Sequence, residues 1–351
     1  MKVFIAAVLI VSLWNGFAGE ESYNFFMISD THFGSAESFG SKPRTRKKIH
    51  RADQAMPYYR TLFADMAEKS DEKTRFLIEA GDLVEGLAYS LDAHKKELKS
   101  AMDLLKKYFK CPVYMVKGNH EAMGQFGAEA YRDVLLPEIS NYAGNKLSVA
   151  NYTVSCGKDL FIFVDYSSRW TDYVKSVLGT LTAKPRYLFL VIHLNVIPWC
   201  SPELVEMCRI LSEYHGIILC GHTHRTMMLK YERDGKSVTQ FTVNTYLQPA
   251  RSRMKYAGVS EDLSGFIAAF RKFRVEKKAQ SAMFEKEWLP WLAQYREWTS
   301  SNSKYPAAGY ARFHVSDQEI QVTVQSGDLT QAPFRFQLLN RLSAAQNRKQ
   351  Q

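Results

Sequence analysis

Five short apolar runs in this chain each end on residues of the kind that ligate metals, and that arrangement limits the possible folds more than any other feature. The runs are Asn24 to Ser29, Arg75 to Ala80, Pro112 to Lys117, Tyr187 to Ile192 and Gly216 to Cys220. Each reads as a strand buried on both faces, which belongs in a sheet covered on both sides. Asp30 and His32 follow the first, and Gly81-Asp82 the second. Gly118-Asn119-His120-Glu121 follow the third, His193 the fourth, and Gly221-His222-Thr223-His224 the fifth. Strand carboxyl ends lie along one edge of an α/β sheet, so residues far apart in sequence converge there. One histidine after a strand is an ordinary loop residue. Histidines after four of these strands, in step with Asp30, Asp82 and Asn119, indicate a metal site.

Gly81, Gly118 and Gly221 each precede a candidate ligand, where the chain must turn sharply and let the backbone come close. Mixed oxygen and imidazole donors without cysteine fit Mn, Fe, Zn or Ni better than a thiolate zinc site. Asp30, His32, Asp82, Asn119, His193, His222 and His224 make seven candidate ligands. That exceeds the needs of one ion, so two divalent cations are implied.

Helical periodicity separates the first strands. Pro57 to Lys69 is one such segment, and Asp92 to Phe109 is clearer, with Asp92 as N-cap and Leu98, Ala101, Met102, Leu105 and Phe109 on one face. Pro202 opens a further helix. Beyond Val149 the pattern turns to strands: Val149 to Val154, Leu160 to Asp165, Met227 to Glu232 and Val238 to Val243. A terminal hairpin spans 309–325, its Ala311, Phe313 and Val315 answering Ile320, Val322 and Val324 across the turn at Ser316-Asp317.

Asp30-x-His32, Gly81-Asp82, Gly118-Asn119-His120-Glu121, His193 and Gly221-His222-x-His224, in this order, resemble the five blocks of the calcineurin-like metallophosphoesterase superfamily. The likeness covers about Asn24 to Thr245 plus the terminal hairpin. It implies an α/β fold, a four-layer αββα sandwich of two mixed sheets flanked by helices. It also implies a dinuclear centre in which one metal takes Asp30, His32 and His224, the other Asn119, His193 and His222, and Asp82 bridges both. Such a centre hydrolyses phosphoesters by in-line attack of a metal-bridging hydroxide, with His120 stabilising charge or protonating the leaving oxygen and Asp82 holding the pair of ions. Glu121 takes a supporting, hydrogen-bonding place. Glu85 stands where purple acid phosphatases place a metal-bound tyrosine, and no Arg-Gly of the protein-phosphatase kind follows it. A purple iron enzyme and phosphoprotein substrates are therefore disfavoured.

The formal charge of +10 is concentrated in two places. Six Lys or Arg and no acid lie between Lys42 and Arg51, and eleven basic against six acidic residues lie between Pro249 and Tyr305. The first stretch reads as a solvated basic loop or an overhang that attracts a polyanion. The second, 251–305, reads as a helical, aromatic-rich insert packed on the core or a surface for nucleic acid or lipid headgroups. The substrate expected is a phosphoester small molecule or a polyanion, with nucleic acid entering only as substrate, and the slight preference is for diesters. A catalytically silent polyanion-binding protein on the same fold is the competing class; a degraded ligand set would support it, whereas all seven positions and His120 are filled.

Lys2, the apolar run Val3 to Trp14, and Gly16 and Ala18 before Gly19 read as a signal peptide spanning 1–18, with export to the periplasm or the extracellular space. The twelve-residue apolar core is shorter than the ~20 residues that span a bilayer, so no membrane insertion is expected after cleavage. The hydrolase domain then occupies 19–345 and a polar tail 346–351. The five cysteines leave at least one unpaired within a chain.

Overall fold

The computed structural model describes residues 22–34, 43–197, 202–224, 226–233, 236–246, 309–327, 329–330 and 332–340. The signal-peptide segment, the insert at 251–305, Cys200 and the terminal tail lie outside the described residues. The strands are β1 (Tyr23–Ile28), β2 (Thr74–Glu79), β3 (Val113–Met115), β4 (Tyr152–Cys156), β5 (Asp159–Val164), β6 (Leu188–Ile192), β7 (Ile217–Cys220), β8 (Met227–Arg233), β9 (Lys236–Thr242), β10 (Gly309–Val315), β11 (Glu319–Ser326) and β12 (Phe334–Asn340). The helices are α1 (Pro43–Glu68), α2 (Leu91–Tyr108), α3 (Gly127–Ala130), α4 (Leu136–Ala143), α5 (Trp170–Gly179) and α6 (Pro202–Ser212), with a π-turn over Tyr131–Leu135 joining α3 to α4.

Two six-stranded mixed sheets form, ordered β12-β11-β10-β1-β2-β3 and β4-β5-β6-β7-β9-β8. In the first, β1 pairs parallel with β2 and antiparallel with β10. In the second, β5, β6, β7 and β9 run parallel, with β4 and β8 antiparallel at the two edges. The four-layer sandwich expected from the family resemblance is thus present.

Strand alternation divides the second sheet's side chains between two cores. Phe161, Phe163, Phe189, Val191, Leu219 and Phe241 face the first sheet. Ile162, Val164, Leu190, Ile192, Ile218 and Cys220 join Val174 of α5 and Met207, Cys208 and Leu211 of α6 on the outer side. Both faces of these strands are dry, which is why the runs read as continuously apolar rather than alternating. Aromatic rings fill the space between the sheets. Phe25 stacks on Phe313 at 4.4 Å and meets Phe161 and Phe189 edge-on at 5.5 and 5.9 Å.

Two local expectations are corrected, and one strand is added. Helix α1 begins at Pro43 rather than Pro57, because its apolar stripe of Ala55, Tyr59, Leu62, Phe63 and Met66 covers only its later half. Ser90, not Asp92, caps α2: its side chain accepts from the Ala93 N–H at 3.2 Å, leaving Asp92 in the first turn beside the helix's positive end. The first sheet extends past the hairpin to β12, which pairs antiparallel with β11. Cys111, Cys156, Cys208 and Cys220 are free thiols.

Candidate metal centre

The carboxyl ends of β1, β2, β3, β6 and β7 meet at one edge of the sandwich, and all seven sequence-predicted ligands arrive there. Asp30, His32, Asp82 and His224 place one donor atom each within 4.8 Å of one another. Asp82, His193 and His222 form a second such group. Asn119 completes it, its Oδ1 lying 2.9 Å from His222 Nδ1 and 3.2 Å from His193 Nε2. Asp82 belongs to both groups. Its Oδ2 lies 3.2 Å from His193 Nε2 and 3.7 Å from His32 Nε2.

The backbone is bent to achieve this. Asp30, His32, Asp82, His222 and His224 have φ of 58°, 45°, 58°, 69° and 50°. Among the described non-glycine residues only His215 shares that region. Left-handed conformations cost L-residues of order 1–3 kcal/mol each and persist only where the surroundings enforce them, so their concentration on the ligand set marks a functional site. Gly118 shows the crowding: a Cβ there would stand 2.1 Å from the Asp82 nitrogen and 2.2 Å from its Oδ1.

Neighbouring groups fix each donor's direction. The His193 Nδ1–H donates to the Ala80 carbonyl at 2.8 Å, which turns Nε2 toward Asp82 and Asn119. Asp30 accepts the Ser29 hydroxyl at 2.6 Å and the His222 N–H at 3.0 Å. Glu121, fully buried, accepts the Gly118, Asp82 and Val84 N–H groups at 2.6, 3.0 and 3.2 Å and so ties the β2 and β3 loops together. His120 gives its Nδ1–H to the Glu85 carbonyl at 2.7 Å, and its Nε2 stands 4.0 Å from Asp82 Oδ2.

The residues fit divalent cations. Nε2 of His32 and of His224 approach each other to 3.0 Å, and carboxylate, amide and imidazole acceptors converge around Asp82. Such acceptors repel unless positive charge lies among them. Burial alone would lower the basicity of His193, yet its hydrogen bond to Asp82 and Asp82's charge push it up to about 9. Burial likewise opposes ionisation of Asp82, but the His193 hydrogen bond and the His193, His32 and His120 charges hold that carboxyl well below its usual range. Asp82 and His193 thus stabilise each other's charged forms, and the carboxylates of Asp82 and Asp30 favour positive charge at the His193 ring.

One side chain of the site escaped the sequence reading, and another, Glu85, takes a role there that the sequence reading did not give it. Tyr246, four residues past β9, lays its ring 4.6 Å from the rings of both His32 and His224. The Glu85 carboxylate reaches within 3.3 Å of His32 Nδ1 while its carbonyl holds His120, so one residue contacts two histidines of the site. Tyr246 lies in no spacing motif that marks it.

The sequence profile of the family described as calcineurin-like phosphoesterase matches residues 23–226. No curated protein matches the chain. Solved structures share its fold at low identity. A dimetal phosphatase from Danio rerio is 12% identical with a TM-score of 0.54, over 90% of this chain and 99% of that one. GAP50, described as the anchor in the inner membrane complex of Plasmodium, is 13% identical with a TM-score of 0.51, over 94% and 95%. PhoD is 10% identical with a TM-score of 0.51, over 91% and 69%. At such identities these likenesses speak for the fold alone.

Proposed function

The chain belongs to the calcineurin-like phosphoesterase family, a family of metal-dependent phosphoester hydrolases, and from that premise we propose a two-cation phosphoesterase, exported from the cell and inclined to diesters. The observation that carries the two-cation reading is the position of Asp82, common to both donor groups. Asp30, His32 and His224 would hold one ion, Asn119, His193 and His222 the other, with the Asp82 carboxylate shared. Cations so held supply Lewis acidity at the phosphoryl oxygens and a hydrolytic nucleophile at neutral pH.

The chain's own part is positioning and proton control. Hydrogen bonds from Ser29 and His222 aim the Asp30 oxygens, and the Ala80 carbonyl aims His193. With its Nδ1–H committed to the Glu85 carbonyl, His120 presents Nε2, on the side of Asp82, as the atom at which a proton would be gained or given up. From there it can neutralise charge on the phosphoryl oxygens or protonate the departing oxygen. His120→Ala is accordingly expected to lower kcat by about 10²–10³-fold, in the range of a lost general acid. Metal content by elemental analysis should stay at the wild-type level; loss of metal along with turnover would show His120 to be a ligand instead.

Export rests on the signal-peptide pattern of Met1 to Gly19. No helix among the described residues is long and apolar enough to cross a membrane. The preference for diesters rests on the two basic stretches, which suit substrates with charge beyond the scissile phosphate. The decisive assay compares a chromogenic phosphodiester with the matching monoester, with manganese added or chelator present, on the chain from Gly19. Chelator-sensitive turnover with the diester favoured is the expected result. A monoester preference overturns the diester assignment, and chelator-resistant turnover overturns the metal mechanism.

A further inference from the structure

The parallel strands β5, β6, β7 and β9 of the second sheet all point their carboxyl ends at the metal edge, but they do not all bring ligands there. β6 is followed by His193 and β7 by His222 and His224, whereas β5 and β9 add nothing to the donor groups. Each of these two is followed by a tyrosine instead, Tyr166 two residues past β5 and Tyr246 four past β9. The tyrosines differ in what they cover. Tyr246 lies against both His32 and His224. Tyr166 meets a single imidazole of the site, its ring centroid 6.2 Å from that of His193 and its plane tilted by 47°. Val164 pairs level with Ile192, so the chain passes Tyr166 just beyond the point where the neighbouring strand delivers His193.

Tyr166 is held firmly in this place. Its ring packs on the outer apolar cluster that the second sheet shares with α5 and α6, and a phenol so packed turns its polar end away from the cluster. The residues on either side are pinned. The Asp165 N–H donates to Asn151 Oδ1 at 2.8 Å, the Ser167 N–H to Asp165 Oδ1 at 2.8 Å, and Lys117 Nζ to Ser167 Oγ at 2.8 Å. Lys117 directly precedes Gly118-Asn119, so this brace ties Tyr166 to the loop that carries a ligand. Burial and then the charges of Asp82, Asp165 and Glu121 push the Tyr166 hydroxyl up to about 12, which keeps it a donor at neutral pH. Asp82 acts on it more strongly than the adjoining Asp165, as expected of a hydroxyl on the side of the metal centre. Among the described residues that hydroxyl has no acceptor.

We propose that Tyr166 is a further catalytic residue of this site, its hydroxyl donating to a non-bridging phosphoryl oxygen of the substrate on the side of His193. The proposal rests on the phosphoesterase reading and adds a residue to it. Negative charge grows on the phosphoryl oxygens as the transition state forms, and a donor already aimed there strengthens its bond at no cost of reorganisation. The braced loop supplies that aim. His120 stands by Asp82 and acts on proton transfer, so the two side chains serve different atoms of the same substrate.

The test compares Tyr166→Phe and Tyr166→Leu with wild type, each metal-loaded, by turnover of a chromogenic phosphodiester, metal content and affinity for inorganic phosphate. Tyr166→Phe keeps the ring on its apolar cluster and removes the donor alone. Its kcat/KM should fall by about 10–100-fold, the value of one hydrogen bond to a charged group, and most of the loss should lie in kcat. Metal content should stay at the wild-type level. Wild-type turnover in Tyr166→Phe, together with loss of metal in Tyr166→Leu, would make the ring a support for His193 and overturn the proposal. Metal lost in step with turnover in Tyr166→Phe would assign the hydroxyl to the ligand set and overturn it as well. Should the wild type cleave no phosphoester, calorimetry with inorganic phosphate decides. Binding weakened by about threefold or more in Tyr166→Phe would keep the hydroxyl at a phosphate pocket and sink the hydrolase reading alone, whereas equal affinity would sink both.

Discussion

Asp82→Asn is expected to abolish turnover, with kcat/KM falling by more than about 10³-fold, because two donor groups lose their common charge at once. The side chain keeps nearly its shape, so the fold should survive and the defect should be chemical. In the wild-type site the Asp82 carboxylate lies 3.2 Å from His193 Nε2, 3.7 Å from His32 Nε2 and 4.0 Å from His120 Nε2, and its other oxygen accepts the His120 N–H at 2.8 Å. An amide preserves one acceptor oxygen but removes the anion that both ions would share. Elemental analysis should therefore find metal depleted at both positions, in contrast to His120→Ala, where content is retained. Two equivalents of metal together with wild-type turnover in Asp82→Asn would remove the bridging assignment and, with it, the reading of the site as one dinuclear centre.

The candidate ligands were legible in the sequence because they sit at strand ends, and strand ends are what apolar runs locate best. The runs stopping at Ser29, Ala80, Lys117, Ile192 and Cys220 place their following residues on one edge whatever the details of pairing. Other parts were hidden for definite reasons. The left-handed backbone of Asp30, His32, Asp82, His222 and His224 is not assigned by residue type alone: aspartate and histidine tolerate that region better than most, but most other Asp and His of the described chain keep ordinary backbone. The first half of α1 has no apolar periodicity, so a pattern of basic residues gives no ground to extend the helix back from Pro57. Ser90 outranks Asp92 as cap only through the geometry of its own backbone, which is extended at φ −144°. Tyr246 reaches His32 and His224 through a loop after β9, a tertiary contact that no local spacing encodes. In β12 the alternation of Phe334, Phe336 and Leu338 with Arg335 and Gln337 does carry a strand signal, and its pairing with β11 closes that edge of the first sheet.

Asp159→Ala is expected to be the most destabilising single change in the described chain that leaves the chemistry intact. Asp159 opens β5 at the end of the sandwich opposite the metals and is almost fully buried. Its carboxylate accepts Nε of Arg186 at 2.9 Å and Nη2 at 2.6 Å, the Tyr187 N–H at 3.0 Å and the Tyr23 hydroxyl at 2.8 Å. Tyr23 begins β1, so this carboxylate ties the two sheets together. Its removal takes from a nearly buried guanidinium the carboxylate that compensates it on the interior side, and takes one acceptor each from the Tyr23 hydroxyl and the Tyr187 N–H. Breaking a buried ion pair from one side costs about 3–5 kcal/mol, because the surviving charge stays desolvated. Urea unfolding followed by circular dichroism measures that loss, and a change below about 1 kcal/mol would show the network to be solvated and weak. Turnover by the folded fraction should be unchanged, since a six-residue strand of about 20 Å separates Asp159 from the metal edge. Replacing both partners with apolar residues, Asp159→Leu with Arg186→Met, should cost less than Asp159→Ala alone, because no unpaired charge is left behind. That ordering separates a charge-compensation role from simple packing, for which the double variant would be the worse of the two.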